Sequence, residues 1–271
     1  MLALIQAIIL GIVEGFTEFL PISSTGHLIV AEKVMNFHDK NELFTVVVQL
    51  GAIAAVIWYY RKDLIEKTVG LFKRQKDALN FWLILVIGTI PAGLFGLLLD
   101  KPMQKITIPF YVAVSLIIGG IVLWFVDRKP AGERAPKTDL ATISKKQAVL
   151  VGLGQAVAII PGVSRSGASI VTGLATGLNR PTATAFSFYL SIPVMVLASG
   201  FKLVKYSDQI SHVTGGLPAL IVGVVVAFVT ALFAIKWLLR YITRHNFRVF
   251  AIYRIALGFL ILFLIAAGVM I

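Results

Sequence analysis

Two carboxylates, Glu14 and Glu18, stand four residues apart in an otherwise apolar stretch and lead into Pro21-Ile-Ser-Ser-Thr-Gly-His27. Residues four apart share one helix face. Two acids held together in a medium of low dielectric repel, and they take up either a proton or a cation. Mg²⁺ is usually held by one or two carboxylates plus phosphate oxygens, so Glu14 and Glu18 are the expected ligands of a divalent cation, Mg²⁺ or Ca²⁺. Pro21 stops the first helix, and the cluster Ser23, Ser24 and Thr25 can cap the next, where free backbone N–H groups receive an anion. Ser24 and His27, three apart, place a hydroxyl and an imidazole on one face, the minimum pairing for an activated nucleophile. Water activated by the cation is the competing nucleophile.

A second cluster reads Pro161-Gly-Val-Ser164-Arg165-Ser166-Gly167-Ala-Ser169. An arginine in a buried Gly/Ser loop needs a partner. Phosphate fits best, because the planar guanidinium donors match its oxygens bidentately; the alternative is a structural ion pair with Glu14 or Glu18. Other polar residues promise less. Arg254 lies near the start of the last apolar run and is expected to snorkel. His38, His212 and His245 fall in loops, Gln49 and Asp100 are ambiguous, and Pro91 and Pro193 are expected to kink helices.

Composition decides what must hold these groups. The 271 residues carry 25 Lys+Arg against 13 Asp+Glu, a net charge of +12, with 58% hydrophobic and 14% charged residues and no cysteine. Soluble domains run at roughly 25% charged, so the composition argues against a soluble enzyme, and equally against a disordered chain. The missing cysteine removes disulfide frameworks, zinc–thiolate sites and thiol nucleophiles. The basic residues sit in short segments between apolar runs and lack interleaved aromatics, which excludes a nucleic-acid surface and fits loops beside a membrane. Glu14 and Glu18 interrupt the opening apolar run, so no cleavable signal peptide is expected.

Six apolar segments, at about 43–60, 81–99, 108–126, 186–201, 217–239 and 250–271, are expected to span a bilayer. Residues 1–35 and 147–180 are apolar but broken by proline, glycine and polar groups, and they read as re-entrant hairpins. Loop 61–80 carries Arg61, Lys62, Lys67, Lys73, Arg74 and Lys76; loop 127–146 carries Arg128, Lys129, Arg134, Lys137, Lys145 and Lys146; segment 236–248 adds four more basic residues. The positive-inside rule places these three in the cytoplasm.

The two broken segments also align with each other. At a constant offset of 141, Gln6-Ala7 meets Gln147-Ala148, Gly11 meets Gly152, Ser23 meets Ser164 and Gly26 meets Gly167, with Pro21 and Pro161 one place out of register. The expected fold is therefore an all-α integral membrane protein with an inverted-topology repeat, each half a re-entrant helical hairpin plus three transmembrane helices. It forms a single membrane domain over 1–271: repeat 1 covers about 1–126, a cytoplasmic loop about 127–146, and repeat 2 about 147–271. Positions that differ between the copies mark the chemistry: Glu14 stands opposite Gln155, Glu18 opposite Ile159, Ser24 opposite Arg165 and His27 opposite Ala168. Because inverted repeats are also a transporter architecture, a transporter or flippase is the alternative to an enzyme.

The segments Glu14–His27 and Pro161–Ser169 closely resemble the two signature motifs of the bacterial undecaprenyl-diphosphate phosphatase family, the bacitracin-resistance proteins, and the likeness extends over essentially the whole chain. Ser169 stands where the family commonly has threonine, and the hydroxyl survives. The resemblance implies a bacterial plasma-membrane enzyme that trims the diphosphate of a polyprenyl lipid carrier to a monophosphate for reuse in cell-wall synthesis, with a divalent cation. By the positive-inside count the termini and the entry of the first hairpin are expected outside and the second hairpin is expected to enter from the cytoplasm, so the site would open to the outer face; a homodimer is compatible with it, and nucleic acid is no partner. Carried over by position, Glu14 and Glu18 are the acidic residues, Ser24 and His27 the hydroxyl and imidazole, and Ser164, Arg165, Ser166, Gly167 and Ser169 the phosphate-binding loop, with Ser23 and Thr25 beside it. Membrane acid phosphatases with a histidine nucleophile share only short elements, since their pattern requires His and Asp where this chain has Val171 and Ala175.

Overall fold

A computed structural model of the chain describes residues 1–39, 42–104, 106–128 and 139–270. Among these the order is α1 (Leu2–Thr17), α2 (Ser24–Met35), α3 (Leu43–Tyr59), α4 (Arg61–Phe72), α5 (Lys76–Gln104), α6 (Pro109–Val126), α7 (Lys145–Ala156), α8 (Arg165–Ala175), α9 (Arg180–Lys205), α10 (Gly216–Tyr241) and α11 (Arg248–Ala266), with short 3₁₀ turns between. Lys129, Arg134 and Lys137 of the expected cytoplasmic loop lie outside the described residues, as do the side chains of Asp100 and His212.

Local sequence accounts for the boundaries. Pro109 opens α6 at its first turn, where its missing N–H has no intrahelical role. Ser144 and Gln147 form a reciprocal capping box on α7, and the Asn179 side chain accepts from the Thr182 N–H to start α9. Asn36 ends α2 in the left-handed conformation. Pro91 lies within α5 and Pro193 within α9.

Five helices (α5, α6, α9, α10 and α11) are long and apolar enough to cross a bilayer, and α3 with α4 makes a sixth candidate, bent by 72° between them. The basic segment 61–80 is therefore not a plain loop, because its first 12 residues form α4. Shorter helices account for the two broken segments: α1 and α2 pack as one hairpin, and α7 and α8 as another. At 16 residues α1 falls short of the roughly 20 that a span requires. Among the described residues the fold is thus all-helical, with several helices apolar enough for a multi-pass membrane protein.

Each hairpin's first arm packs on a long helix from the far part of the chain: α1 lies against α10, and α7 against α5. Glycine permits both approaches. A methyl on Gly11 would come within 2.8 Å of the Gly223 carbonyl oxygen, and one on Gly152 within 2.4 Å of the Gly88 carbonyl. Helices α6 and α11 form another close pair, and α3 lies on α9. Where α6 ends, the buried Asp127 carboxylate pairs with Arg180 at the start of α9 (2.7 Å) and accepts from the Phe247 N–H before α11 (2.6 Å), so one acid ties three helix ends.

Candidate active site

Pro21 and Pro161 each precede a sharp tip at which the chain enters the second arm of its hairpin through a serine of positive φ. Ser23 has φ 70° and Ser164 φ 73°. Such a backbone costs a non-glycine residue about 1–3 kcal/mol and persists only where surrounding contacts impose it. Nothing in the residue type announces it, so this strain is invisible in the sequence. Both serines occupy the N-cap position, but only the Ser164 side chain caps, accepting from the Gly167 N–H at 3.1 Å.

The tips meet. The Ser166 hydroxyl donates to the Leu20 carbonyl (2.8 Å) and lies 3.1 Å from the Ser164 hydroxyl. Arg165, the first residue of α8, reaches across to Glu18 at 3.1 Å. Its other Nη nitrogen donates to the Ser187 carbonyl (3.3 Å), its guanidinium lies over the Phe19 ring, and its Nε is buried without a partner among the described residues. Ser169 is wedged one turn on, donating toward the Arg165 and Ser166 carbonyls and sitting 2.6 Å from the Ser187 hydroxyl, which fixes α8 against α9.

Glu18 is the hub of the cluster. One carboxylate oxygen takes Arg165, and the other accepts from the Ser24 hydroxyl at 2.6 Å. The Ser24 proton therefore points at Glu18. His27, expected to face Ser24, instead directs Nδ1 to the Ser23 carbonyl at 2.7 Å and Nε2 to the Tyr253 hydroxyl at 2.8 Å. Thr25 stands beside Ser24 in the first turn of α2, half-buried. Of the two open readings of Arg165, the arrangement without phosphate is the ion pair with Glu18.

Glu14 differs from every other acid in the cluster. It is 1% exposed, and neither carboxylate oxygen has a partner among the described residues. An unsatisfied buried polar group costs about 1–3 kcal/mol, and more when charged. Orphaned oxygens of this kind suit a divalent cation. Among the described residues no group of three or more His, Cys, Asp or Glu side chains gathers to enclose a metal by itself.

Two residues of α11 belong to this region: Tyr253, which the sequence did not single out, and Arg254, whose expected snorkelling fails. Tyr253 has just been placed on His27. Arg254 does not snorkel: it is 1% exposed and donates to the carbonyls of Val163 (2.8 Å), Gly162 (3.3 Å), Pro21 (3.4 Å) and Ser115 (3.4 Å). It is a clamp between the two tips. The snorkelling expectation fails because residue 254 faces the interior of the helix cluster, where four carbonyls take the place of water.

Residues 7–260 match the family model described as bacitracin resistance protein BacA. A protein named undecaprenyl-diphosphatase from Acinetobacter baumannii is 46% identical over 261 residues, covering 95% of this chain and 94% of its own. A protein of the same name from Nitrosospira multiformis is 44% identical over 267 residues (98% and 96%), and undecaprenyl-diphosphatase 1 from Burkholderia cenocepacia is 45% identical over 261 residues (95% and 94%).

Proposed function

The chain belongs to the bacitracin resistance protein BacA family, and from that premise we propose how its tip cluster removes the terminal phosphate of undecaprenyl diphosphate. The protein is an undecaprenyl-diphosphate phosphatase that returns the lipid carrier as undecaprenyl phosphate, releasing inorganic phosphate. The single observation that carries the mechanism is the line Ser24–Glu18–Arg165, a hydroxyl hydrogen-bonded to a carboxylate that is itself paired with the guanidinium of the first residue of α8.

In this mechanism the Ser24 oxygen attacks the terminal phosphorus while its proton passes to Glu18 over the existing 2.6 Å hydrogen bond. The bond from that phosphorus to the bridging oxygen breaks, and the bridging oxygen leaves on the lipid monophosphate. Water then hydrolyses the phosphoserine. Arg165 turns from Glu18 to the diphosphate, where its fork and its unpartnered Nε meet oxygens that gain charge in the transition state. Backbone N–H groups at the start of α8, with Ser164, Ser166 and Gly167, seat the phosphate. Glu14, with Glu18 beside it, would hold a divalent cation, which supplies charge neutralisation to the diphosphate when bound. Attack by water without a phosphoserine is the competing route.

The hairpins read as two copies in inverted topology. The reciprocal packing of α1 on α10 and α7 on α5, and the matched tips at Ser23 and Ser164, support this. With the basic segments inside, the first hairpin enters from the outer face of the plasma membrane and the site opens there. A transporter for the lipid phosphate requires no bond cleavage, so phosphate release decides against it. Purified protein in detergent is expected to release phosphate from undecaprenyl diphosphate and to lose that turnover in excess EDTA. Binding without release would refute the enzyme reading, and undiminished turnover in EDTA would refute the cation.

A further inference from the structure

The hydrogen bonds of His27 fix where its proton sits. Nδ1 lies 2.7 Å from the Ser23 carbonyl oxygen. A carbonyl only accepts, so Nδ1 carries a hydrogen. In the neutral ring the one lone pair is then on Nε2, 2.8 Å from the Tyr253 hydroxyl, and the two rings are nearly parallel, at 6° with centroids 5.5 Å apart. Tyr253 therefore donates into the only basic position of His27. The imidazole has no lone pair to offer Ser24, whose proton is already directed to Glu18.

The other hairpin shows that the fold does not require this arrangement. A methyl on Gly120 of α6 would come within 2.8 Å of the Ala251 carbonyl of α11, and a methyl on Gly258 of α11 within 2.8 Å of the Ala113 carbonyl of α6. The two contacts exchange when positions on α6 are advanced by 138, which sets Ser115 opposite Tyr253. The hairpin register sets Ala168 opposite His27. At that second place Ser115 and Ala168, with Val163 and Val171, line a mostly apolar groove of about 390 Å³. The α7–α8 tip thus keeps its strained serine with no tyrosine–histidine pair beneath it. A pair present on one hairpin alone serves what that hairpin alone does.

We infer that Tyr253 is a positioning residue: it holds His27 as the Nδ1–H tautomer, so that His27 grips the strained Ser23 carbonyl, aims Ser24, and leaves Glu18 as the acceptor of the serine proton. This rests on the phosphatase reading for its kinetic consequence but not for its structural one.

The test labels the ring nitrogens of histidine with ¹⁵N in the full chain, purified in detergent. Only four histidines are present, and His27→Ala assigns the signal of interest. The expected wild-type spectrum at neutral pH shows His27 protonated at Nδ1 and unprotonated at Nε2. Tyr253→Phe keeps the ring and removes the donor. It is expected to shift the Nε2 resonance toward that of a free lone pair, to lower kcat by roughly tenfold to a hundredfold, and to leave KM within about twofold. Added to His27→Ala, Tyr253→Phe should cause no further loss, because it acts through that ring. A wild-type His27 protonated at Nε2, an unmoved resonance in Tyr253→Phe, a moved resonance with unchanged kcat, or additive losses would each overturn the inference. The spectrum needs no turnover, so a failure of the phosphatase reading is told apart from a failure of this one.

Discussion

At the tip of the α1–α2 hairpin Ser23 turns with φ 70°, and at the tip of α7–α8 Ser164 turns with φ 73°. Each first arm lies on a long helix through a glycine, Gly11 or Gly152, and each tip is gripped by Arg254. On this shared frame the side chains diverge. The first hairpin carries Glu14, Glu18, Ser24 and His27, where the second carries Gln155, Ile159, Arg165 and Ala168. Glu14 and Gln155 sharpen the contrast: both are buried, and both have all their side-chain oxygen or nitrogen atoms unpartnered among the described residues. One hairpin supplies carboxylates and a hydroxyl, and the other a guanidinium and backbone donors. On the proposed mechanism neither half holds a complete site, and the chemistry falls at the contact between them.

That comparison can be broken at defined points. The largest effect is expected from Glu14→Gln, which makes the first hairpin match the second at this position. Turnover should fall by about a thousandfold or more, since a carboxamide neither neutralises nor ligates a hard cation well. The folded protein should be no less stable, because the change removes a buried unpartnered acid. Near-native kcat in the variant, or a large drop in melting temperature, would contradict the division of labour. Arg165→Lys comes next. A point charge retains attraction to Glu18 but loses the fork, so kcat should drop by about a hundredfold while the protein folds. A lysine variant with native turnover would reduce Arg165 to a structural ion pair. The smallest effect is expected at Gln155→Leu, which removes two unpartnered polar atoms at nearly constant volume. Turnover within about twofold of native, and unchanged or raised thermal stability, would confirm that the second hairpin carries no acid–base work there. A severe kinetic loss would show that it does.

Much of this frame was legible beforehand. Hydropathy alone locates α5, α6, α9, α10 and α11, because a bilayer tolerates few exceptions to long apolar helices. Pro21 and Pro161 mark both tips because proline cannot continue a helix. The residues that escaped did so for physical reasons. Tyr253 meets His27 across 226 positions of chain, and local spacing holds no information about such a contact. Arg254 sits close enough to a helix end to suggest snorkelling, and only the packing of both tips around it reveals a clamp. Helical spacing paired Ser24 with His27, yet Ser24 opens α2 and its hydroxyl turns back toward Glu18, six residues before it. Helix α4 was hidden by charge, since its basic residues read as an orientation signal before they read as a structural element.

Helix α11 brings both Tyr253 to His27 and Arg254 to the two tips, and it is the most C-terminal helix described. During synthesis every other part of the site is inserted before it. Until α11 arrives, the hairpins have no shared carbonyl clamp and His27 has no hydroxyl partner. A ribosome stalled before this helix would leave in the membrane a chain that holds the acids, the serine and the arginine but lacks the Arg254 clamp and the Tyr253 hydroxyl, so on the proposed mechanism premature termination should yield an idle protein.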